Sequence, residues 1–135
     1  MNRIFHRNTL GKKEILRGKK AGSQVFLHGE KIFHYPVLIY YRTTSYKRPS
    51  PLRVAFSVSK KRYKRAVDRN QIKRMMRESY RRLKHPLLQL AEKKQIGIDL
   101  MIIYVGKSKV AFDEFSDSLL LSLKQLEKSI EKQLS

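Results

Sequence analysis

One run of twenty-five residues, Lys60 to Lys84, constrains the fold of this chain more than any other stretch. Twelve of its residues are Lys or Arg and two, Asp68 and Glu78, are acidic, so it carries half of the chain's net charge of +20. The run also has helical periodicity. At about 100° per residue, Ile72, Met75, Met76, Ser79 and Leu83 fall on one side of a helix from about Val67 to Lys84. Asn70, Lys73, Arg74, Arg77, Arg81 and Lys84 fall on the other, with Arg69 and Tyr80 near the boundary. The apolar side must be covered by another layer of the fold. The basic side then becomes a rigid rail about 25 Å long at 1.5 Å per residue. Arg69/Lys73, Lys73/Arg77 and Arg77/Arg81 are like-charge pairs four residues apart, each costing a few tenths of a kcal/mol. Ordinary surface helices mix signs. A rail that does not is suited to a polyanion, and nucleic acid is the usual one.

The 135 residues are read as one domain, 20–135, preceded by a basic arm, 1–19, in which Gly11 and Gly18 oppose a long helix. Ser23 to Leu27 forms a short helix capped by Gly29. Val37 to Tyr41 is β-branched and aromatic and reads as a strand. Leu52 to Ser59 alternates, with Leu52, Val54, Phe56 and Val58 on one face, and is expected to pair with it as an antiparallel hairpin. After the basic helix, residues 86–95 read as a linker. Ile98 to Val105 reads as a central strand apolar on both faces. Phe112 to about Leu134 is a helix with a core stripe of Phe115, Leu119, Leu123, Leu126, Ile130 and Leu134, and with Asp113 and Glu114 in its first turn. This order makes the fold α+β, a small sheet covered by helices on one side.

Other chemistry finds little support in the residues. There are no cysteines for disulfides or zinc. His6, His28, His34 and His85 lack metal-ligand spacing, and Asp113 and Glu114 are explained as helix-start residues. Asp99, Asp113, Glu114 and Asp117 could be imagined as a nuclease metal cluster, but no protein-borne active site, metal site or catalytic residue is expected. The longest apolar run, Ile98 to Val105, contains Asp99 and is far short of the roughly 20 residues that span a bilayer. The N-terminus lacks a signal-peptide core. A soluble, cytoplasmic protein with no membrane partner is expected.

Ala66-Val67-x-Arg69-Asn70-x-x-Lys73-Arg74-x-x-Arg77-Glu78, with Ser57-Val58-Ser59-Lys60-Lys61 before it, resembles the signature of the protein subunit of bacterial ribonuclease P. The similarity runs over residues 15–130. It implies an α-β-β-β-α-β-α sandwich with the basic helix in a left-handed crossover, and a third early strand near Ile32–His34 or within Leu52–Ser59. It also implies a division of labour. A catalytic RNA subunit, using Mg²⁺ that it binds itself, hydrolyses the phosphodiester that joins the 5′ leader to precursor tRNA. The protein, a monomer in the complex, binds that RNA through Lys60, Lys61, Lys64, Arg69, Asn70, Lys73, Arg74, Arg77 and Arg81. It holds the leader in a cleft on Phe26, Tyr40 and Phe112, where base stacking contributes about 1–3 kcal/mol per base. The chain departs from the family pattern at Gln71, which replaces an Arg, and at Gly22, which replaces a cleft aromatic. Phe112 stands where the family often has Tyr. Composition alone leaves open a structural, ribosome-associated RNA-binding protein, or a protein-only nuclease.

Overall fold

The computed structural model describes residues 14–16, 25, 29–45 and 50–134. The arm at 1–13, Gly22 and the Ser23–Leu27 helix apart from Val25 lie outside that set, and Phe26 with them. Among the described residues the order is β1 (Glu30–His34), β2 (Val37–Ser45), β3 (Leu52–Val58), α1 (Ala66–Leu83), α2 (His85–Lys94), β4 (Ile96–Tyr104) and α3 (Phe112–Leu134). The third early strand is therefore β1.

The sheet runs β1-β2-β4-β3. β1 and β2 form a hairpin across a two-residue turn with a cis Tyr35–Pro36 bond. β2 pairs antiparallel with β4, and β3 pairs parallel with β4. The expected hairpin of β2 with β3 does not form, because β4 lies between them. The cause is burial. Gly97, Ile98, Asp99 and Leu100 are all buried, and a strand buried on both faces takes the middle of a sheet. Parallel pairing of β3 with β4 then requires a crossover, and α1 and α2 supply it.

Residues 86–95 are a helix and not a linker. Pro86 stands in the first turn of α2, where its missing N–H costs nothing. Leu87, Leu90 and Ala91 turn into the core at helical spacing, and Gln95 ends the helix in the left-handed conformation, φ 55°.

The helices contribute to one core on one face of the sheet. Ile32, Ile39, Tyr41, Val54, Leu100 and Ile102 meet Ile72, Met76 and Tyr80 of α1 and Phe115, Leu119, Leu123, Leu126 and Ile130 of α3. The stripe read on α3 is therefore buried from Phe115 to Ile130. Alternation sends Lys31, Phe33, Leu38, Tyr40, Arg42, Arg53, Ala55, Asp99, Met101 and Ile103 to the opposite face, here called the open face. Phe33 is more than half exposed there.

Residues 14–16, assigned to the arm by sequence, lie against the edge of the sheet. Ile15 bridges to Val54 in parallel, and the Leu16 amide donates to Val54 O at 2.8 Å. Gly29 is required where it stands, since a Cβ would come within 2.3 Å of Val25 O and 2.7 Å of Tyr41 O.

Candidate nucleic-acid interface

The basic surface begins where β3 ends. Ser59 Oγ accepts the amides of Lys61 and Arg62 at 3.2 and 3.4 Å, and Ser59 O accepts the amide of Tyr63. This turn projects Lys60, Lys61 and Lys64 into solvent. Two side chains pin it to the loop after β4: Arg62 Nη1 donates to Val105 O and Tyr63 Oη to Gly106 O, each at 2.7 Å. Arg69 reaches back from α1 and donates through Nη1 to Tyr63 O at 2.7 Å and Lys64 O at 3.0 Å. Half-buried, it fixes the angle at which the turn enters α1.

Along α1, burial of Ile72, Met76, Ser79 and Tyr80 sets the rotation. Asn70, Arg74 and Arg77 are exposed and Lys73 is half-buried. Among the described residues, Lys73, Arg74 and Arg77 have no carboxylate partner. Gln71 accepts a hydrogen bond from Lys109 Nζ. Glu78 accepts from Arg81 at 2.5 Å and lies 3.6 Å from Arg82. The Arg81 hydrogen bonds hold the Glu78 carboxyl below its ordinary range, so at neutral pH Arg81 offers only part of its charge to a ligand.

Lys84 does not join the basic face. Its side chain is fully buried, with Nζ 2.5 Å from Glu14 Oε1. The chain turns from α1 into α2 at this residue, so Lys84 points between the helices and residues 14–16. A buried ammonium there requires a carboxylate. Next to this pair is an open groove of about 540 Å³ lined by Ile15, Arg74, Arg77, Glu78 and Arg81. The basic rail thus has a wall at Ile15, which helical periodicity could not reveal.

Of the aromatic candidates, the two described ones, Tyr40 and Phe112, are not brought together. Tyr40 is half-buried on the open face, opposite Lys31 and Met101. Phe112 begins α3, on the helical side of the sheet, with the Arg82 guanidinium 5.4 Å from its ring centre. Its position is set by Tyr104, whose hydroxyl donates to Ser108 O at 2.6 Å and accepts from the Val110 amide at 3.0 Å. That hydroxyl gathers the loop that leads into α3. Burial raises the Tyr104 pKa to about 12.

The carboxylates imagined as a metal cluster are also apart. Asp99 is buried on β4 and bound by Arg53, whereas Asp113, Glu114 and Asp117 belong to α3. Among the described residues no group of three or more His, Cys, Asp or Glu gathers as metal ligands. Nor, among them, is any helix long and apolar enough to cross a membrane.

A four-stranded mixed sheet with a parallel crossover, whose helix α1 faces outward with cations that no carboxylate among the described residues neutralises, defines a small polyanion-binding α+β module. Residues 10–130 match the family model for ribonuclease P. The chain is 38% identical over 113 residues to the ribonuclease P protein component of Chlorobium phaeobacteroides, covering 78% of this chain and 77% of that one. It is 36% identical over 97 residues to that of Porphyromonas gingivalis, covering 72% and 71%. The chain belongs to the ribonuclease P protein component family, the protein subunit of an endoribonuclease of tRNA 5′ processing. Solved ribonuclease P proteins share the fold. That of Staphylococcus aureus has a TM-score of 0.63 at 22% identity, covering 85% of this chain and 96% of that one. That of Thermotoga maritima has 0.62 at 24%, covering 83% and 96%.

Proposed function

We propose that the exposed row of α1, with the Lys60, Lys61 and Lys64 turn, binds the catalytic RNA subunit of ribonuclease P, and that the open face carries the 5′ leader of precursor tRNA on Tyr40. The observation that carries this reading is the row of Lys73, Arg74 and Arg77 on one rigid face, with no carboxylate partner among the described residues. Phosphates set against that row release counterions and relieve its self-repulsion. Arg69 fixes the entry angle of the helix, and Asn70 adds an amide for a base edge or ribose. In this reading Phe112 supports Arg82 on the RNA-subunit side, and Tyr40 stacks a leader base. Mg²⁺ is held mainly by RNA, and the chain acts as a cytoplasmic monomer within the complex. The chain comprises an arm, 1–19, and one domain, 20–135, with residues 14–16 of the arm docked on that domain.

The test is reconstitution. The chain, bacterial ribonuclease P RNA and precursor tRNA are mixed at low Mg²⁺, and 5′-mature product is expected. Cleavage without the RNA subunit would favour a protein-only nuclease. RNA binding with no stimulation at any Mg²⁺ level would favour a structural RNA-binding protein.

A further inference from the structure

Asp99 is 1% exposed, at the centre of the sheet and on its open face. Arg53 grips it with two hydrogen bonds, Nε to Oδ1 at 3.1 Å and Nη2 to Oδ2 at 3.2 Å. From the other side Arg42 brings Nε to 3.9 Å from Oδ2. That Nε is buried and, among the described residues, has no hydrogen-bond partner. One carboxylate thus stands between two guanidinium groups, each about one-third exposed. A single pair would be neutral, so among the described residues this row carries one surplus positive charge.

The strand register fixes what lies beside it. Arg42, Asp99 and Arg53 form one cross-strand row, and Lys31, Tyr40, Met101 and Ala55 form the next. The two rows are two residues apart along each strand, about 7 Å. A base stacked on Tyr40 therefore has its neighbouring phosphate within reach of the Arg42 and Arg53 guanidinium groups. Bidentate, charge-assisted bonds of this kind are short and directional, and they need the guanidinium held in a defined plane.

We propose that Asp99 is a positioning residue that holds Arg42 and Arg53 as a clamp for one phosphodiester of a single RNA strand crossing the Tyr40 face. This rests on the ribonuclease P reading and adds the atoms that grip the leader. Simple electrostatics gives the opposite sign for Asp99, since removing a negative charge from a basic surface should strengthen binding to a polyanion.

The experiment uses the full chain reconstituted with bacterial ribonuclease P RNA. Affinity is measured for precursor tRNA with a long leader and with a leader too short to reach the row. Arg42→Gln is expected to weaken long-leader binding about tenfold, with the loss confined to that substrate, and to reduce the salt slope by about 0.7. Asp99→Asn is expected to weaken long-leader binding in the same direction, despite adding net positive charge. A methylphosphonate at the gripped linkage should cost the wild-type protein the same factor and cost Arg42→Gln nothing more. Tighter binding by a folded Asp99→Asn, an equal loss by Arg42→Gln on both substrates, or an unchanged slope overturns the clamp. If Asp99→Asn fails to fold, Arg42→Gln and the methylphosphonate decide. A wild-type chain that stimulates nothing refutes the ribonuclease P reading instead. The clamp is then tested by binding a single-stranded oligoribonucleotide to the chain alone, where equal affinity of wild type and Arg42→Gln overturns it.

Discussion

Replacing Glu14 by Gln should unfasten residues 14–16 from the domain. The carboxylate is 13% exposed and faces the fully buried Lys84 ammonium at 2.5 Å. Gln has the same shape and keeps an acceptor, so the change isolates the charge. A buried ammonium left without its carboxylate costs about 3 kcal/mol, the low end for breaking a buried pair. Lys84→Met leaves Glu14 at a partly wetted site, where water can solvate it, and should cost about 2 kcal/mol. The double variant has no charge left to strand, so the two costs should fail to add by about 2 kcal/mol. Urea unfolding at fixed sulfate concentration measures all three stabilities, with the slope m unchanged if only the native state is affected. Hydrogen exchange at the Leu16 amide, which donates to Val54 O, reports the docking directly and should lose protection in Glu14→Gln. Additive costs within about 0.5 kcal/mol, together with unchanged Leu16 protection, would refute the reasoning.

The remaining predictions concern the rail and the core. Arg74→Ala with Arg77→Ala should weaken binding to the RNA subunit and lower its salt slope by roughly 1–2; an unchanged slope would mean that neither side chain meets a phosphate. Glu78→Gln removes the carboxylate that binds Arg81 and should raise the same slope, read by filter binding across a salt series. Tyr80→Phe removes a buried hydroxyl that lacks a hydrogen-bond partner among the described residues and keeps the edge-on packing against Phe56 at 5.8 Å, so denaturant melts should show a gain of about 1 kcal/mol. Tyr41 and Tyr104 have pKa values raised by burial to about 12. Their contribution to stability is fully present below the ordinary value of 10 and is lost as pH rises through 12. An alkaline titration followed at the tyrosinate band and by circular dichroism should show late ionisation coinciding with unfolding.

The basic helix was legible in the sequence because charge and periodicity are local. Ile72, Met76 and Ser79 had to share a side, which left Arg74 and Arg77 facing out whatever the neighbours were. The stripe of α3 and the apolar β4 could be read for the same reason. Residues 86–95 read as a linker and not as a helix because a Pro just after one helix is also compatible with the start of the next; the spacing of Leu87, Leu90 and Ala91 is the signal that distinguishes them.

What the tertiary structure alone decided involves residues far apart in the chain. β4 entered between β2 and β3, so the expected hairpin became an antiparallel and a parallel pairing around one central strand. That insertion lined up Arg42, Asp99 and Arg53, three residues with no local reason to meet. Glu14 removed Lys84 from the rail, and the two sides of the sheet separated Tyr40 from Phe112. Side-chain periodicity is dictated by neighbouring peptide units and can be read from sequence. Strand order and charge pairing are set by which distant surfaces exclude water together, and that requires the folded chain.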